Sequence, residues 1–88
     1  MNKSAPMEYE KAIEYIDQMI RDGELVTGSR LPTERTISEH LGIGRNSTRE
    51  ALSILHGMGM IRRVQGSGNY VTGDAHRAIR QICTMMLA

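Results

Sequence analysis

Three blocks decide the fold: Gly28-Ser29-Arg30-Leu31-Pro32-Thr33-Glu34-Arg35, then Leu41-Gly42-Ile43-Gly44-Arg45-Asn46-Ser47-Thr48-Arg49-Glu50-Ala51-Leu52, then Gly66-Ser67-Gly68-Asn69-Tyr70-Val71. Pro32 leads into Thr33, a good N-cap, and Glu34 suits a first helical turn. A helix is predicted from about Glu34 to Leu41, with Ile37 and Leu41 inward and Arg35, Ser38 and Glu39 outward. Gly42 ends it, Ile43 fills the turn and Gly44 opens the next helix. There Thr48, Ala51, Leu52 and Leu55 share one face, leaving Arg45, Asn46 and Arg49 on the exposed side. Met60–Val64 and Asn69–Thr72 read as strands joined by the four-residue loop Gln65-Gly66-Ser67-Gly68. Helix, tight turn, Arg-bearing helix and Gly-tipped hairpin, in that order, describe a winged helix-turn-helix.

Working outward, Tyr9, Ile13, Ile16 and Ile20 recur at helical spacing, with Ala12 and Met19 beside them and Gly23 as the stop. Leu31 is placed to form a third, very short strand. Past the Gly73-Asp74 break, Ala78, Ile79, Ile82, Met85 and Met86 lie on one face of a further helix. The expected class is mostly α with a small β-hairpin wing: a three-helix core, the wing and a C-terminal helix. The expected layout is a loose arm over 1–7, the winged helix-turn-helix over 8–73, and a linker with the start of a helix over 74–88. Residues 1–73 have no evident need to cover the apolar face of 75–88, so this 88-residue chain is expected to self-associate through it.

Eighty-eight residues with no Trp, no Phe and three Tyr must build one small core from aliphatic side chains and seven Met. The single Cys, Cys83, excludes an internal disulfide and a Cys-rich zinc site. His40, His56 and His76 show no ligand spacing, and no nucleotide fingerprint or nucleophile–base pair appears. No cofactor, metal site or enzymatic activity is expected. No apolar run is long enough for a membrane span, and the expected compartment is the cytoplasm.

The net charge of +1 hides a polarity. Residues 1–24 hold six acids against three bases, a net of −3, whereas 45–66 hold four Arg against Glu50, a net of +3. Such a domain can turn a basic face to phosphates. At the start of the third helix, Arg suits guanine O6 and N7, and Asn suits adenine. Arg45, Asn46 and Arg49 are therefore candidate base readers, and Ser47 with the free N–H groups of the helix start is a candidate phosphate contact. In the wing, Arg62, Arg63, Gln65, Gly66 and Ser67 are candidates: a Gly tip lets backbone approach the minor groove, with cations nearby. The alternatives are a solvated helix face and a plain flexible turn. Arg35 has two open roles, an i+4 partner in Glu39 or a DNA contact. The alternative function is a winged-helix protein-interaction module, which would lack the basic face.

These blocks resemble the N-terminal DNA-binding domain of GntR-type bacterial transcriptional regulators, over roughly residues 8–73. Gly28, Leu31, Pro32, Thr33, Glu34 and Arg35 match one motif. Leu41, Gly42, Arg45, Arg49, Glu50, Ala51 and Leu52 match a second; Gly59, Ile61, Gly66, Gly68 and Val71 match a third. Three positions depart from the pattern: Gly44 for a Ser N-cap, Thr48 for Val, and Asn46-Ser47 for Thr-Pro. The resemblance implies base reading by Arg35, Arg45 and Arg49, and operator preference tuned by Asn46 and Ser47. It also implies minor-groove entry at Gly66 and binding to double-stranded operator DNA as a homodimer. A small-molecule effector would bind a C-terminal domain outside this sequence. Residues 75–88 would be the first helix of that domain, of the all-helical FadR-type class.

Overall fold

The computed structural model describes residues 7–73; the arm over 1–6 and the helix, self-association and Cys83 readings over 74–88 lie outside them. The elements run α1 (Glu8–Arg21), α2 (Glu34–Leu41), α3 (Arg45–Gly57), β1 (Ile61–Val64) and β2 (Gly68–Val71). The Met7 N–H donates to the Glu10 carboxylate at 2.9 Å, closing the first turn of α1. Ala12, Ile13, Ile16 and Ile20 are buried along one stripe, as the periodicity predicts. That stripe packs on α3, which buries Thr48, Ala51, Leu52 and Leu55. Leu25, Leu31, Ile37, Ile43, Met60, Ile61 and Val71 complete the core. Each such side chain contributes about 1.5–3 kcal/mol when fully buried.

Thr33 caps α2 as expected, its hydroxyl accepting from the Thr36 N–H at 3.0 Å. Gly42 ends α2 at φ +67°, a left-handed conformation that costs glycine least. The chain thereby reverses within Gly42-Ile43-Gly44, and Ile43 drops into the core. The Tyr15 and His40 rings stack at 4.9 Å, tying α1 to α2.

Three expectations are corrected. The hairpin pairs Ile61 with Val71 and Val64 with Gly68, so the loop is three residues, Gln65-Gly66-Ser67, and the strands start at Ile61 and Gly68. The Ser67 N–H donates to the Val64 carbonyl at 2.9 Å, and Gly66 takes φ +78°. A positive φ is what a three-residue hairpin loop demands. The third strand is centred on Arg30, bridged to Tyr70, rather than on Leu31. It is held by Leu31 N–H to Asn69 O at 2.8 Å and Val71 N–H to Ser29 O at 2.9 Å.

The third correction concerns Ser38, which is buried, not outward. Its hydroxyl lies 2.8 Å from the Thr48 hydroxyl, inside the α2–α3 contact. Thr48 has no exposed surface and its hydroxyl also donates weakly, at 3.4 Å, to the Gly44 carbonyl of the preceding turn. Ser38 then donates to Thr48. The pair explains Thr at a position where the resemblance expects Val: a buried hydroxyl on α2 needs a partner on α3.

Thr48→Val should strand the Ser38 hydroxyl and destabilise the fold by about 1–2 kcal/mol. Ser38→Ala together with Thr48→Val should recover most of that loss. Urea unfolding of the single and double variants measures both. Additive losses would show that the hydroxyls do not depend on each other.

Candidate nucleic-acid interface

α3 packs on α1 and β1, and the residues its buried stripe leaves over face solvent. Arg45, Asn46 and Arg49 are all exposed on its first two turns. Arg62, Arg63, Gln65 and Gly66 are exposed on the hairpin, and Ser67 is half-buried, its hydroxyl bonded to that of Tyr70. α2 places Arg35 on the surface, 3.1 Å from Glu39, with both side chains about two-thirds exposed or more (73% and 67%). The structure therefore shows the i+4 partner of Arg35; so exposed a pair contributes little to stability.

The three arginines of α2 and α3 are held differently. Arg49 is gripped side-on by Glu34 of α2, its Nε 3.2 Å from Oε2 and its Nη2 3.1 Å from Oε1. A guanidinium has five N–H donors in a fixed fork. Glu34 uses the Nε edge, which leaves the end-on edge free for a second bidentate partner. Arg45, by contrast, has no ion pair among the described residues.

Hydrogen bonding to Arg49 is the main reason the Glu34 carboxyl titrates below its ordinary value, ahead of the opposing cost of desolvation. Coulombic attraction from Arg49, and then from Arg45 and Arg63, lowers it further. The same bond raises the already high pKa of Arg49. Arg45 and Arg63 thus act on the one carboxylate, and the basic charge of α3 and of the wing converges on this side of the molecule.

Sequence reasoning missed three participants. Glu34 was legible only as a first-turn acid, because its partner lies 15 positions away. Glu8 was legible only as a dipole-compensating acid on α1. Its Oε1 accepts from the Ser47 hydroxyl at 3.0 Å and from the Gly44 N–H at 3.3 Å, 39 and 36 positions away. Arg30 is exposed on the third strand, and its Nε would lie 2.9 Å from a Cβ placed at Gly68. It adds a cation beside the wing from outside the hairpin, and no local pattern announces it. Among the described residues no group of three His, Cys, Asp or Glu side chains is placed to hold a metal, and no helix is long and apolar enough to cross a membrane.

Comparison with known proteins identifies a family and a shared fold. The family described as "Bacterial regulatory proteins, gntR family" matches residues 8–71. The chain is 42% identical over 62 residues to the Glc operon transcriptional activator of Escherichia coli K12, covering 70% of this chain and 24% of that protein. It is 37% identical over 73 residues to the HTH-type transcriptional repressor NagR of Bacillus subtilis, covering 82% and 30%. The chain thus spans about a quarter to a third of these relatives. Among solved structures, AraR(DBD) in complex with operator ORX1 superposes with a TM-score of 0.75 at 26% identity, covering 82% of this chain and 87% of that one. A GntR family transcriptional regulator from Listeria monocytogenes gives 0.75 at 26% identity, over 99% and 75%.

Because its pKa is lowered on folding, Glu34 contributes stability that is complete above the ordinary glutamate value. That contribution is lost as pH falls through the lowered one. NMR titration should find the Glu34 carboxyl below free glutamate, and Arg49→Ala should return it towards the ordinary range. A Glu34 midpoint unmoved by Arg49→Ala would show that the pair does not persist in solution.

Proposed function

This chain belongs to the gntR family of bacterial regulatory proteins, and we propose that it is the operator-reading domain of a ligand-responsive regulator. The observation that carries the reading is the outward face of α3. Arg45, Asn46 and Arg49 are exposed there, beside a hairpin that adds Arg62 and Arg63. An α-helix fits the major groove, and the first turns of the second helix of the motif meet base edges. Arg45 and Arg49 read guanine, Asn46 reads adenine, and Arg35 exchanges its exposed Glu39 contact for DNA. Arg62, Arg63, Gln65 and Ser67 follow the backbone while Gly66 enters the minor groove. Ser47 stands at the phosphate side of the same turn.

The wider reading follows from the family. Residues 8–73 form the DNA-binding domain, the arm over 1–7 precedes it, and 74–88 lead into an effector-binding domain outside this sequence. Two chains occupy a pseudo-palindromic operator in the cytoplasm, one half-site each. The spacing of residues 75–88 after the wing resembles the all-helical, FadR-type effector class. AraR(DBD), whose fold this chain shares, has been solved on operator DNA, and NagR and the Glc activator are transcriptional regulators.

Fluorescence anisotropy with random-sequence duplex tests the DNA reading. Salt-dependent binding is expected, with log K falling linearly as log salt rises. No binding at low salt would favour a protein-interaction module. Against a selected operator, Arg45→Ala and Arg49→Ala should each cost about 1–3 kcal/mol and relax preference at one base pair. Unchanged affinity and preference would remove either residue from the interface.

Ser67→Asp should weaken operator and random duplex alike and make the salt slope shallower, because the wing tip meets phosphates. Equal slopes for variant and parent would place the wing away from DNA.

A further inference from the structure

The grip of Glu8 on α3 is explained neither by the core nor by base reading. Glu8 is exposed at the first position of α1, yet its carboxylate is seated on the opening turn of α3. We propose that Glu8 is an intramolecular phosphate mimic. Its carboxylate takes the donors that a DNA phosphate would otherwise use, and so lowers the domain's affinity for any duplex. The proposal rests on the DNA-binding reading above.

The donors are the first part of the argument. A helix start carries unpaired N–H groups and a partial positive charge, which suits an anion. Here the Gly44 N–H and the Ser47 hydroxyl both point at one carboxylate oxygen, Glu8 Oε1, at 3.3 and 3.0 Å. They flank Arg45 and Asn46, so a phosphate running past those base readers would arrive at the same donors. In the present structure it would meet a carboxylate instead.

The second part is Gly44. It has no side chain with which to cap its own helix, and its own N–H is taken by Glu8 of α1. A Cβ at Gly44 would lie 3.9 Å from Glu8 Oε1, an ordinary contact. A Ser could therefore cap α3 without evicting Glu8, so space does not require Gly44.

The third part is charge. α3 and the wing attract phosphates through Arg45, Arg62 and Arg63, while Arg49 is already engaged by Glu34. Glu8 fixes a negative charge on the opening turn of α3. Phosphates carry no sequence information, so the effect is the same on every duplex and is screened by salt.

Anisotropy titration of the 88-residue chain with two random-sequence duplexes of different base composition tests this. Glu8→Gln keeps an acceptor on Gly44 and Ser47 but removes the charge. It should tighten both duplexes by the same factor, about five-fold near 0.05 M salt, with the gain shrinking near 0.3 M. Gly44→Ser, which keeps the charge, should give no gain. Circular dichroism checks that each variant is folded; if Glu8→Gln alone is not, Glu8→Gln with Gly44→Ser carries the same expectation. Unchanged or weaker binding by folded, Glu8-neutral protein would overturn the proposal and leave Glu8 a structural cap, while leaving the DNA-binding reading intact. A parent chain that binds neither duplex would remove both.

Discussion

Burial of one stripe of α3 is the constraint on which the rest depends. Thr48, Ala51, Leu52 and Leu55 must leave water, and α1 supplies the apolar surface that accepts them. A helix has only one rotation about its axis that achieves this. Once it is taken, Arg45, Asn46 and Arg49 face solvent. The outward placement of the candidate base readers is therefore set by hydrophobic packing. The hairpin follows from the same core: Met60, Ile61 and Val71 anchor its base, so the loop at Gln65-Gly66-Ser67 projects from the molecule.

The basic face is edited by acids. Glu34 fixes the rotamer of Arg49, Glu39 sits on Arg35, and Glu8 sits on the first turn of α3. Each acid belongs to a helix other than α3. An arginine held at one edge loses less rotational freedom when a base engages the other edge, which is one way specific contact is made at lower entropic cost. The overall charge of this chain is only +1, because acids offset the basic face.

Most of the fold was legible because its signals are local. The i, i+4, i+7 stripe of α1, the Thr33 cap, the Gly42 turn and the apolar face of α3 all act within a few residues. What escaped depends on pairs distant in sequence. Ser38 reads as an outward serine until Thr48, ten positions on, is seen to meet it. Glu34 and Glu8 read as dipole acids until Arg49 and Ser47 are placed beside them. The hairpin loop was read one residue too long because Gly68 looks like a turn residue, whereas its pairing with Val64 makes it the first residue of a strand. The candidate base readers were legible for the opposite reason: they are the polar remainder of a pattern whose apolar part was clear.

The central claim is that one surface, the start of α3 with the tip of the wing, meets DNA. Amide chemical shifts of labelled chain titrated with duplex DNA test it most directly. The account predicts saturable shifts at Gly44–Arg49 and at Gln65–Gly68 together, with Tyr15, Val26 and His40 unmoved. Shifts centred on Tyr15 and His40, or shifts at α3 without the wing, would contradict it.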